Sequence, residues 1–550
     1  MSVKPAPLEQ ARRAYRPRIP EVLRAAPASV AIEESGSTAS VADAEEIRKR
    51  FPRTFGRPVL RLTEGRSSIE RKPLNLGVVL SGGQAPGGHN VLTGLHDGLQ
   101  SLHEDSKLFG FLGGPRGIFT GQGVELDAAT LEPFRNSGGF DLIGSGRDKI
   151  ETAEQLAASR ATCEKLGLAG LVIVGGDDSN TNAAVLAEYL VGQGSEIAVL
   201  GVPKTIDGDL KGGRVEASFG FDTATKVYSE LIGNICRDAK SSAKYWHFVK
   251  LMGRSASHVT LECALQTHAN IALIGEEVRE KKLTLDQVVT GVAETVRRRA
   301  EAGKSYGVCL VPEGLIEFIP EMRALIDELN GIIAREPGGS AKAVEAKLSP
   351  DASRVFGSLP AGIRDQLLLE RDSHGNVQVS LIDTEKLLVG QVSDRIDRWR
   401  SAGEFPGKLR VQRHFFGYEG RCAAPSDFDA DYTYTLGRAA AVLAAHGRTG
   451  YICCVRNLAG PTDGWQVEGV PLASMMRMEP RRGKPTPVIG KALVRTDREP
   501  FSTFAASRER WELEDDYRYP GAIQYFGPPE VASAVNETLR LEHGGAESDR

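Results

Sequence analysis

The fold is decided by two segments, LVIVGGDDS at residues 171–179 and IAVLGVPKTIDGD at residues 197–209. Each begins with an apolar run that is typical of a buried strand and ends in a polar loop. Open α/β sheets carry their ligand chemistry at the carboxyl ends of the strands. Four carboxylates and one lysine follow these two strands, and this combination predicts a site for a metal ion and a polyphosphate.

Strand-like and helix-like segments alternate on both sides of these loops. The first set predicts strands at 76–80 and 108–112 and helices at 91–102, 151–166 and 182–193. The second set predicts strands at 245–252, 270–274 and 306–311 and helices at 257–267 and 285–302. Strands that alternate with helices predict parallel, doubly wound α/β sheets.

The chain is too long for one hydrophobic core, and the pattern divides it into several parts. Residues 1–72 form an N-terminal extension without sustained periodicity. A first α/β domain covers 73–235 and is rejoined by about 430–500, where a helix at 437–446 and a strand at 449–455 are predicted. A second α/β domain covers 236–320 and about 404–430, interrupted by a helical insertion at 321–403. Residues 501–550 form a C-terminal segment.

The overall composition excludes several classes of protein. A formal net charge of −4 over 550 residues favours neither nucleic acid nor an anionic membrane as a partner. Apolar runs stay well short of the roughly 20 residues that span a bilayer. The first 24 residues lack the apolar core of a secretory signal, but their arginines are compatible with a transit peptide. Seven scattered cysteines without a C-x-x-C pair predict reduced thiols and a cytoplasmic protein.

A glycine-rich loop, SGGQAPGGHN at residues 81–90, follows the first predicted strand and precedes a helix. Gly82 and Gly83 allow close approach of a ligand to the backbone, and free N–H groups beside a helix N-terminus attract phosphate. The loop is neither a P-loop nor a dinucleotide-binding fingerprint. On its own the loop is weak evidence for a phosphate site, and a tight turn that binds no ligand is the alternative interpretation.

Two adjacent carboxylates, Asp177 and Asp178, follow Gly176. In an extended loop they point in different directions, so that one can reach Mg²⁺ while the other faces the phosphoryl donor. The alternative is structural, because Asp178 or Ser179 can cap a helix that begins near Thr181.

The second loop contains Lys204, Asp207 and Asp209. A carboxylate at a strand end can accept a proton from a substrate hydroxyl, and a lysine can offset the charge that develops during phosphoryl transfer. A solvated Asp-Gly turn is the alternative interpretation.

Three further motifs combine arginine or glutamate with glycine, at 252–254, 312–314 and 418–421. Arginine binds phosphate through paired hydrogen bonds, and glutamate binds sugar hydroxyls. Singly, each is better explained as a surface charge or a helix cap. Their recurrence at strand ends and loops of one α/β architecture favours a sugar phosphate as ligand.

Together these six motifs, between about Leu74 and Pro461, resemble the ordered motif set of the phosphofructokinase superfamily. In detail they are similar to its long pyrophosphate-dependent type, to which the plant catalytic β subunit belongs. The resemblance implies two Rossmann-like domains, the first for the phosphoryl donor and the second for the sugar phosphate. It also implies Mg²⁺-assisted, reversible transfer from pyrophosphate to the 1-hydroxyl of fructose 6-phosphate.

The resemblance assigns roles to individual residues. The donor would contact Gly82, Gly83 and Gly176, and Asp177 would serve the metal. Asp207 would accept the proton, with Thr205, Ile206 and Asp209 beside it. The sugar phosphate would be held by Met252, Gly253, Arg254, Glu313, Tyr418, Glu419, Gly420 and Arg421. Lys244 and Tyr245 would reach a neighbouring subunit's site, which implies a homodimer or a higher oligomer.

The choice of donor would depend on Asp178 and Lys204, since ATP-dependent relatives typically carry glycine at both positions. A carboxylate at 178 opposes the α-phosphate of ATP, and a lysine at 204 stabilises the shorter donor. Two alternatives stay open, an ATP-dependent enzyme and a non-catalytic regulatory subunit. The second would be expected to lose the carboxylates at 177 or 207, and both are present.

Overall fold

The computed structural model describes residues 5–65, 69–335, 341–368, 377, 381–481, 484–528 and 532–543. Its strands are β1 (Val30–Ser37), β2 (Pro58–Glu64), β3 (Leu76–Leu80), β4 (Leu108–Phe111), β5 (Gly123–Glu125), β6 (Gly170–Gly175), β7 (Ala198–Pro203), β8 (Trp246–Leu251), β9 (Ile271–Ala272), β10 (Gly307–Pro312), β11 (Val411–Phe416), β12 (Tyr451–Arg456), β13 (Gln466–Pro471), β14 (Met476–Arg481) and β15 (Lys484–Ile489).

The α-helices are α1 (Pro7–Ala14), α2 (Ala44–Arg50), α3 (Gly88–Leu102), α4 (Arg116–Thr120), α5 (Ala128–Leu131), α6 (Ala153–Lys165), α7 (Asp177–Gly192), α8 (Phe221–Ser242), α9 (His258–Thr267), α10 (Gly275–Glu280), α11 (Leu285–Glu301), α12 (Leu315–Phe318), α13 (Pro320–Arg335), α14 (Ala341–Glu345), α15 (Pro350–Ser358), α16 (Ala361–Leu368), α17 (Thr384–Ser401), α18 (Tyr418–Arg421), α19 (Asp427–Ala445), α20 (Glu499–Leu513) and α21 (Glu537–His543). None of these helices is long and apolar enough to cross a membrane.

The larger sheet has nine strands in the order β1-β2-β13-β12-β7-β6-β3-β4-β5. The five strands from β12 to β4 are mutually parallel, and antiparallel strands extend both edges. The central strands β3, β6 and β7 are fully buried, because their runs of valine, leucine and isoleucine are apolar at every position.

The smaller sheet has the order β11-β8-β10-β9, and all of its pairings are parallel. The predicted fold class, α/β with mainly parallel sheets, is therefore confirmed. The helical insertion consists of α13 to α17 in the described residues, and the described part of its apolar face packs into the same core as β8 and β10.

The chain divides into two compact units. One comprises Met1–Ala224, Tyr418–Ala492 and Ile523–Arg550 and contains the nine-stranded sheet. The other comprises Thr225–Gly417 and Leu493–Ala522 and contains the four-stranded sheet. Each unit has its own hydrophobic core.

Two regions differ from the sequence-based prediction. The N-terminal 72 residues contain β1 and β2, which continue the larger sheet beyond β13; their polar outer faces hid the strand pattern. The helix predicted at 437–446 begins ten residues earlier, at Asp427. Its polar first turns are buried and are capped by Ser426, whose hydroxyl accepts a hydrogen bond from the Asp429 amide.

Candidate active site

The order of strands in the larger sheet creates a crevice between β3 and β6. The chain runs from β3 outward to β4 on one side, whereas β6 and β7 lie on the other side. Loops that leave neighbouring strands in opposite directions open a crevice at the carboxyl end of the sheet, and ligands bind there in folds of this kind. The glycine-rich loop after β3 and the two loops quoted first all lie at this edge.

The loop after β6 is shorter than predicted, because α7 begins at Asp177 and not near Asn182. Asp177 and Asp178 therefore occupy the first helical turn, and the prediction that they lie in an extended loop is wrong. Carboxylates are favourable at this position because the helix dipole is positive there. Ser179 does not cap the helix, since its hydroxyl pairs with that of Ser81 at 2.8 Å.

Asn180 fixes the geometry of this turn. Its side-chain amide donates hydrogen bonds to the carbonyls of Gly175 and Gly176, at 2.6 and 2.9 Å, and the residue is fully buried. Gly176 adopts an extended conformation immediately before the helix. Hydrogen bonds from this buried side chain thus fix the turn that carries the two carboxylates.

Lys204 begins the loop after β7, and its side chain reaches the loop after β3. Its ammonium donates a 2.6 Å hydrogen bond to the carbonyl of Gly83, and the side chain is buried. The position that a Cβ atom would take on Gly82, where φ is +84°, is 3.3 Å from the same ammonium. Burial lowers the pKa of Lys204 to about 8, an effect that the neighbouring Asp207 and Asp177 oppose.

The loop after β7 carries the other two carboxylates. Asp207 donates its backbone N–H to the Thr205 hydroxyl at 3.1 Å, and Ser218 donates its hydroxyl to the Thr205 carbonyl. Asp209 is buried, which together with the nearby charge of Asp207 raises its pKa to about 7. Ile206, directly before Asp207, is also buried and anchors the loop.

Three basic residues that the sequence analysis did not single out lie at this site. The Lys491 ammonium is 3.8 Å from Asp177 and 3.7 Å from Asp209, and the Lys149 ammonium is 3.8 Å from Asp178. The Arg147 guanidinium lies 4.0 Å from the position of a Cβ atom on Gly83. Arg147 and Lys149 follow the run Gly144-Ser145-Gly146, and that glycine-rich context was the available signal.

The motif at 418–421 forms the short helix α18 in the same compact unit as the donor loops. Arg421 stacks over the ring of Tyr418 at 4.8 Å, and its Nη1 is 3.5 Å from the position of a Cβ atom on Gly83. Tyr418 and Glu419 are exposed, whereas Gly420 is buried. Within the described residues, the Nε of Arg421 is buried and has no hydrogen-bond partner.

The other predicted sugar-phosphate residues lie in the second unit, at the carboxyl ends of β8 and β10. Gly253, with φ of +135°, donates its N–H to the buried carboxylate of Glu313 at 3.1 Å. A Cβ atom on Gly314 would lie 1.8 Å from the carbonyl oxygen of Arg254. Only glycine permits this approach, and the loops that carry Met252–Arg254 and Glu313 are therefore held together.

Lys244 and Tyr245 lie at the opposite end of the same sheet. They directly precede β8, whereas Met252 follows it. Six residues of strand separate the two groups by about 20 Å. The structure does not bring Lys244 and Tyr245 together with the 252–254 loop of their own chain.

A divalent cation would find oxygen ligands in the first unit. Asp177 and Asp209 direct one carboxylate oxygen each towards the Lys491 ammonium, so the two side chains converge on a single cationic position. Among the described residues no group of three or more His, Cys, Asp or Glu could hold a metal ion. Mg²⁺ does not need such a group, because it keeps water and binds phosphate oxygens alongside one or two carboxylates.

The chain is similar to known proteins of one family. The family model described as Phosphofructokinase matches residues 75–349. The chain is 52% identical to the pyrophosphate–fructose 6-phosphate 1-phosphotransferase of Treponema pallidum (strain Nichols), over 97% of this chain and 96% of that protein. It is also 52% identical to the β subunit of the enzyme of that name from Solanum tuberosum, over 91% of this chain and 88% of the subunit.

A solved structure extends the comparison to the fold. The crystal structure of a pyrophosphate-dependent phosphofructokinase from Nitrosospira multiformis superposes with a TM-score of 0.53, over 84% of this chain and 96% of that one. The two sequences are only 15% identical, so this likeness concerns the fold alone. The identity to the curated relatives extends over almost the whole chain, and the chain therefore belongs to the phosphofructokinase family.

Proposed function

We propose that this chain transfers a phosphoryl group reversibly from pyrophosphate to the 1-hydroxyl of fructose 6-phosphate, giving fructose 1,6-bisphosphate and phosphate. One observation carries the proposal above the others. A buried ammonium, that of Lys204, lies against the glycine-rich loop within the electrostatic reach of Asp207 and Asp177. A fixed cation in this position can offset charge on a phosphoryl group without solvent rearrangement.

The proposed choice of pyrophosphate over ATP rests on Asp178 and Lys204. Asp178 is partly exposed on the first turn of α7, which begins directly after β6 at the edge of the sheet where the donor loops lie. The negative charge of Asp178 would oppose the additional phosphate of a nucleotide. The ammonium of Lys204 would offset the negative charge of the shorter donor, pyrophosphate. The names of the relatives, which specify pyrophosphate, support the same choice.

In the proposed reaction Asp207 accepts the proton of the sugar hydroxyl as the oxygen attacks the nearer phosphorus of pyrophosphate. The bond to the bridging oxygen breaks, and phosphate leaves. Thr205 and Ile206 hold the loop of Asp207, and the backbone of Gly82, Gly83 and Gly176 lines the donor side. Mg²⁺, when bound through Asp177, would neutralise part of the phosphate charge.

The sugar phosphate would be held by both remaining motif groups, 252–254 with Glu313, and 418–421. In this proposal the first compact unit serves the donor and also carries the 418–421 motif, whereas 252–254 and Glu313 belong to the second unit. The position of Lys244 and Tyr245, a strand length away from Met252, supports a role at a neighbouring subunit's site and hence a homodimer or higher oligomer. A cytoplasmic location agrees with seven free cysteines, six of them buried.

The test is an initial-rate assay with fructose 6-phosphate and Mg²⁺, in which pyrophosphate and ATP are compared side by side. The proposal expects turnover with pyrophosphate and at least about a hundredfold lower kcat/KM with ATP. Preference for ATP would contradict the choice of donor. Absence of turnover with either donor would favour the regulatory-subunit interpretation.

A further inference from the structure

Lys491 lies between α7 and the loop after β7, the two elements that carry Asp177 and Asp209. It is not part of the motifs that define the family resemblance. It follows the hairpin β14–β15, and the amide of Ile489 donates to the hydroxyl of Thr181 on α7 at 2.9 Å. On its other side, the amide of Ala492 donates to the carbonyl of Asp209 at 2.7 Å. The backbone on either side of Lys491 is therefore fixed to the two elements that carry Asp177 and Asp209.

The side chain continues this connection. Its ammonium lies 3.8 Å from the nearer carboxylate oxygen of Asp177 and 3.7 Å from that of Asp209. About a quarter of the side chain is exposed, while Asp209 is almost completely buried. Other cations also lie at these loops, Lys204 against the Gly83 carbonyl and Lys149 beside Asp178, but the Lys491 ammonium lies within 4 Å of both Asp177 and Asp209 and so lowers the negative potential of these two carboxylates directly.

We propose that Lys491 is a positioning residue of the donor site, which orients Asp177 and Asp209 and reduces the negative potential that pyrophosphate meets. The inference rests on the proposed function for the identity of the anion. It assigns Lys491 a task different from that of Lys204, because Lys204 is buried against the Gly83 carbonyl whereas Lys491 lies on the carboxylates themselves.

The proposal predicts effects of opposite sign on two ligands. Removing a positive charge within 4 Å of two carboxylates makes the site more negative. A divalent cation should then bind more tightly and pyrophosphate more weakly. A lysine that only stabilised the local structure would, when removed, weaken both ligands together or affect neither.

The experiment compares Lys491→Met and Lys491→Arg with Lys107→Met as a matched control. Lys107 is also a lysine of the first unit that pairs with a carboxylate, Glu125, but it is exposed and precedes β4 at the opposite end of the sheet. Binding of Mn²⁺ alone is measured by electron paramagnetic resonance, and binding of pyrophosphate at saturating Mg²⁺ by calorimetry. For Lys491→Met we expect Mn²⁺ to bind at least about fivefold more tightly and pyrophosphate at least about fivefold more weakly.

The other variants complete the test. Lys491→Arg retains the charge and should stay within about twofold of the wild type for both ligands, as should Lys107→Met. Weakening of both ligands by Lys491→Met, or no change in either, would overturn the proposal. If Lys491→Met fails to fold in a thermal unfolding assay, Lys491→Gln is measured by the same criteria. A wild-type protein that neither binds nor uses pyrophosphate refutes the proposed function, and the Mn²⁺ measurement then still decides whether Lys491 controls the carboxylates.

Discussion

The loops after β6 and β7 begin side by side, yet they hold their functional residues in different ways. The two strands are parallel and end in register, with Gly175 opposite Pro203. After β6 the chain enters α7 at once, and Asp177 and Asp178 are placed by the helix while they stay partly exposed. After β7 the backbone stays irregular until α8 begins at Phe221.

The loop after β7 has no helix to position its charged residues, and burial and side-chain hydrogen bonds position them instead. Lys204 and Asp209 are only 5% and 4% exposed, and Thr205 is bonded on both its hydroxyl and its carbonyl. A helix can present a charged group at its N-terminus with little cover, because the backbone already favours the charge. A loop must enclose its charged groups, and its chemistry is therefore more sensitive to substitution.

The largest effect should follow from a change in the loop after β7. Asp207→Asn keeps the shape of the side chain but removes the proton acceptor, so turnover with pyrophosphate should fall at least about a hundredfold. Asp463→Asn, which changes an exposed aspartate of the same unit, is the matched control. Near-normal kcat in Asp207→Asn would exclude Asp207 as the general base.

The double variant Asp178→Gly with Lys204→Gly changes one residue of each loop. We expect kcat/KM for pyrophosphate to fall by about a hundredfold, because a fixed cation beside the transferring group is lost. The ratio of ATP to pyrophosphate turnover should rise, since the opposing carboxylate is also gone. Full retention of pyrophosphate turnover would show that these two residues do not select the donor, and the single variants would separate their contributions.

The strands that lead into these two loops could be predicted from the sequence, whereas the start of α7 and the position of Lys491 could not. Apolar runs such as 171–174 identified the buried strands, because burial on both faces leaves a continuous signal. The start of α7 was placed too late, since Asp-Asp after Gly-Gly is compatible with a loop as well as with a first helical turn. Lys491 could not have been found, because only folding brings it to residues about 300 positions earlier.

The connection between the two loops can be tested through Gly201 on β7. A Cβ atom there would lie 2.0 Å from Oδ1 of Asn180, the buried side chain that holds the start of α7. Gly201→Ala should lower the free energy of unfolding by about 1–3 kcal/mol, as overpacking of a rigid interior does. Gly291→Ala in α11 has open space around its Cβ and should instead be neutral or stabilising by up to about 1 kcal/mol. Equal effects in urea unfolding would refute the proposed contact.

The last prediction concerns the charge state of Lys204, which burial brings within reach of ordinary pH. With a pKa of about 8, the ammonium is present below that pH and is lost as the pH rises through it. If the cation serves the donor, kcat/KM for pyrophosphate, which reports the ionisation of the free protein, should at pH 9 be about a tenth of its plateau value.

Stability should change in the opposite direction. The pKa of Lys204 in the folded protein lies below the ordinary value of 10.5, so between about pH 8 and 10.5 the unfolded chain binds more protons at this residue. The contribution of Lys204 to the free energy of unfolding therefore rises with pH over the range in which activity falls. The difference between wild type and Lys204→Met, followed by urea unfolding and by pH–rate profiles, isolates this residue from the other titrating groups. A loss of activity that runs parallel to a loss of stability would mean that alkaline inactivation is unfolding, and the charge of Lys204 would then have no demonstrated part in the reaction.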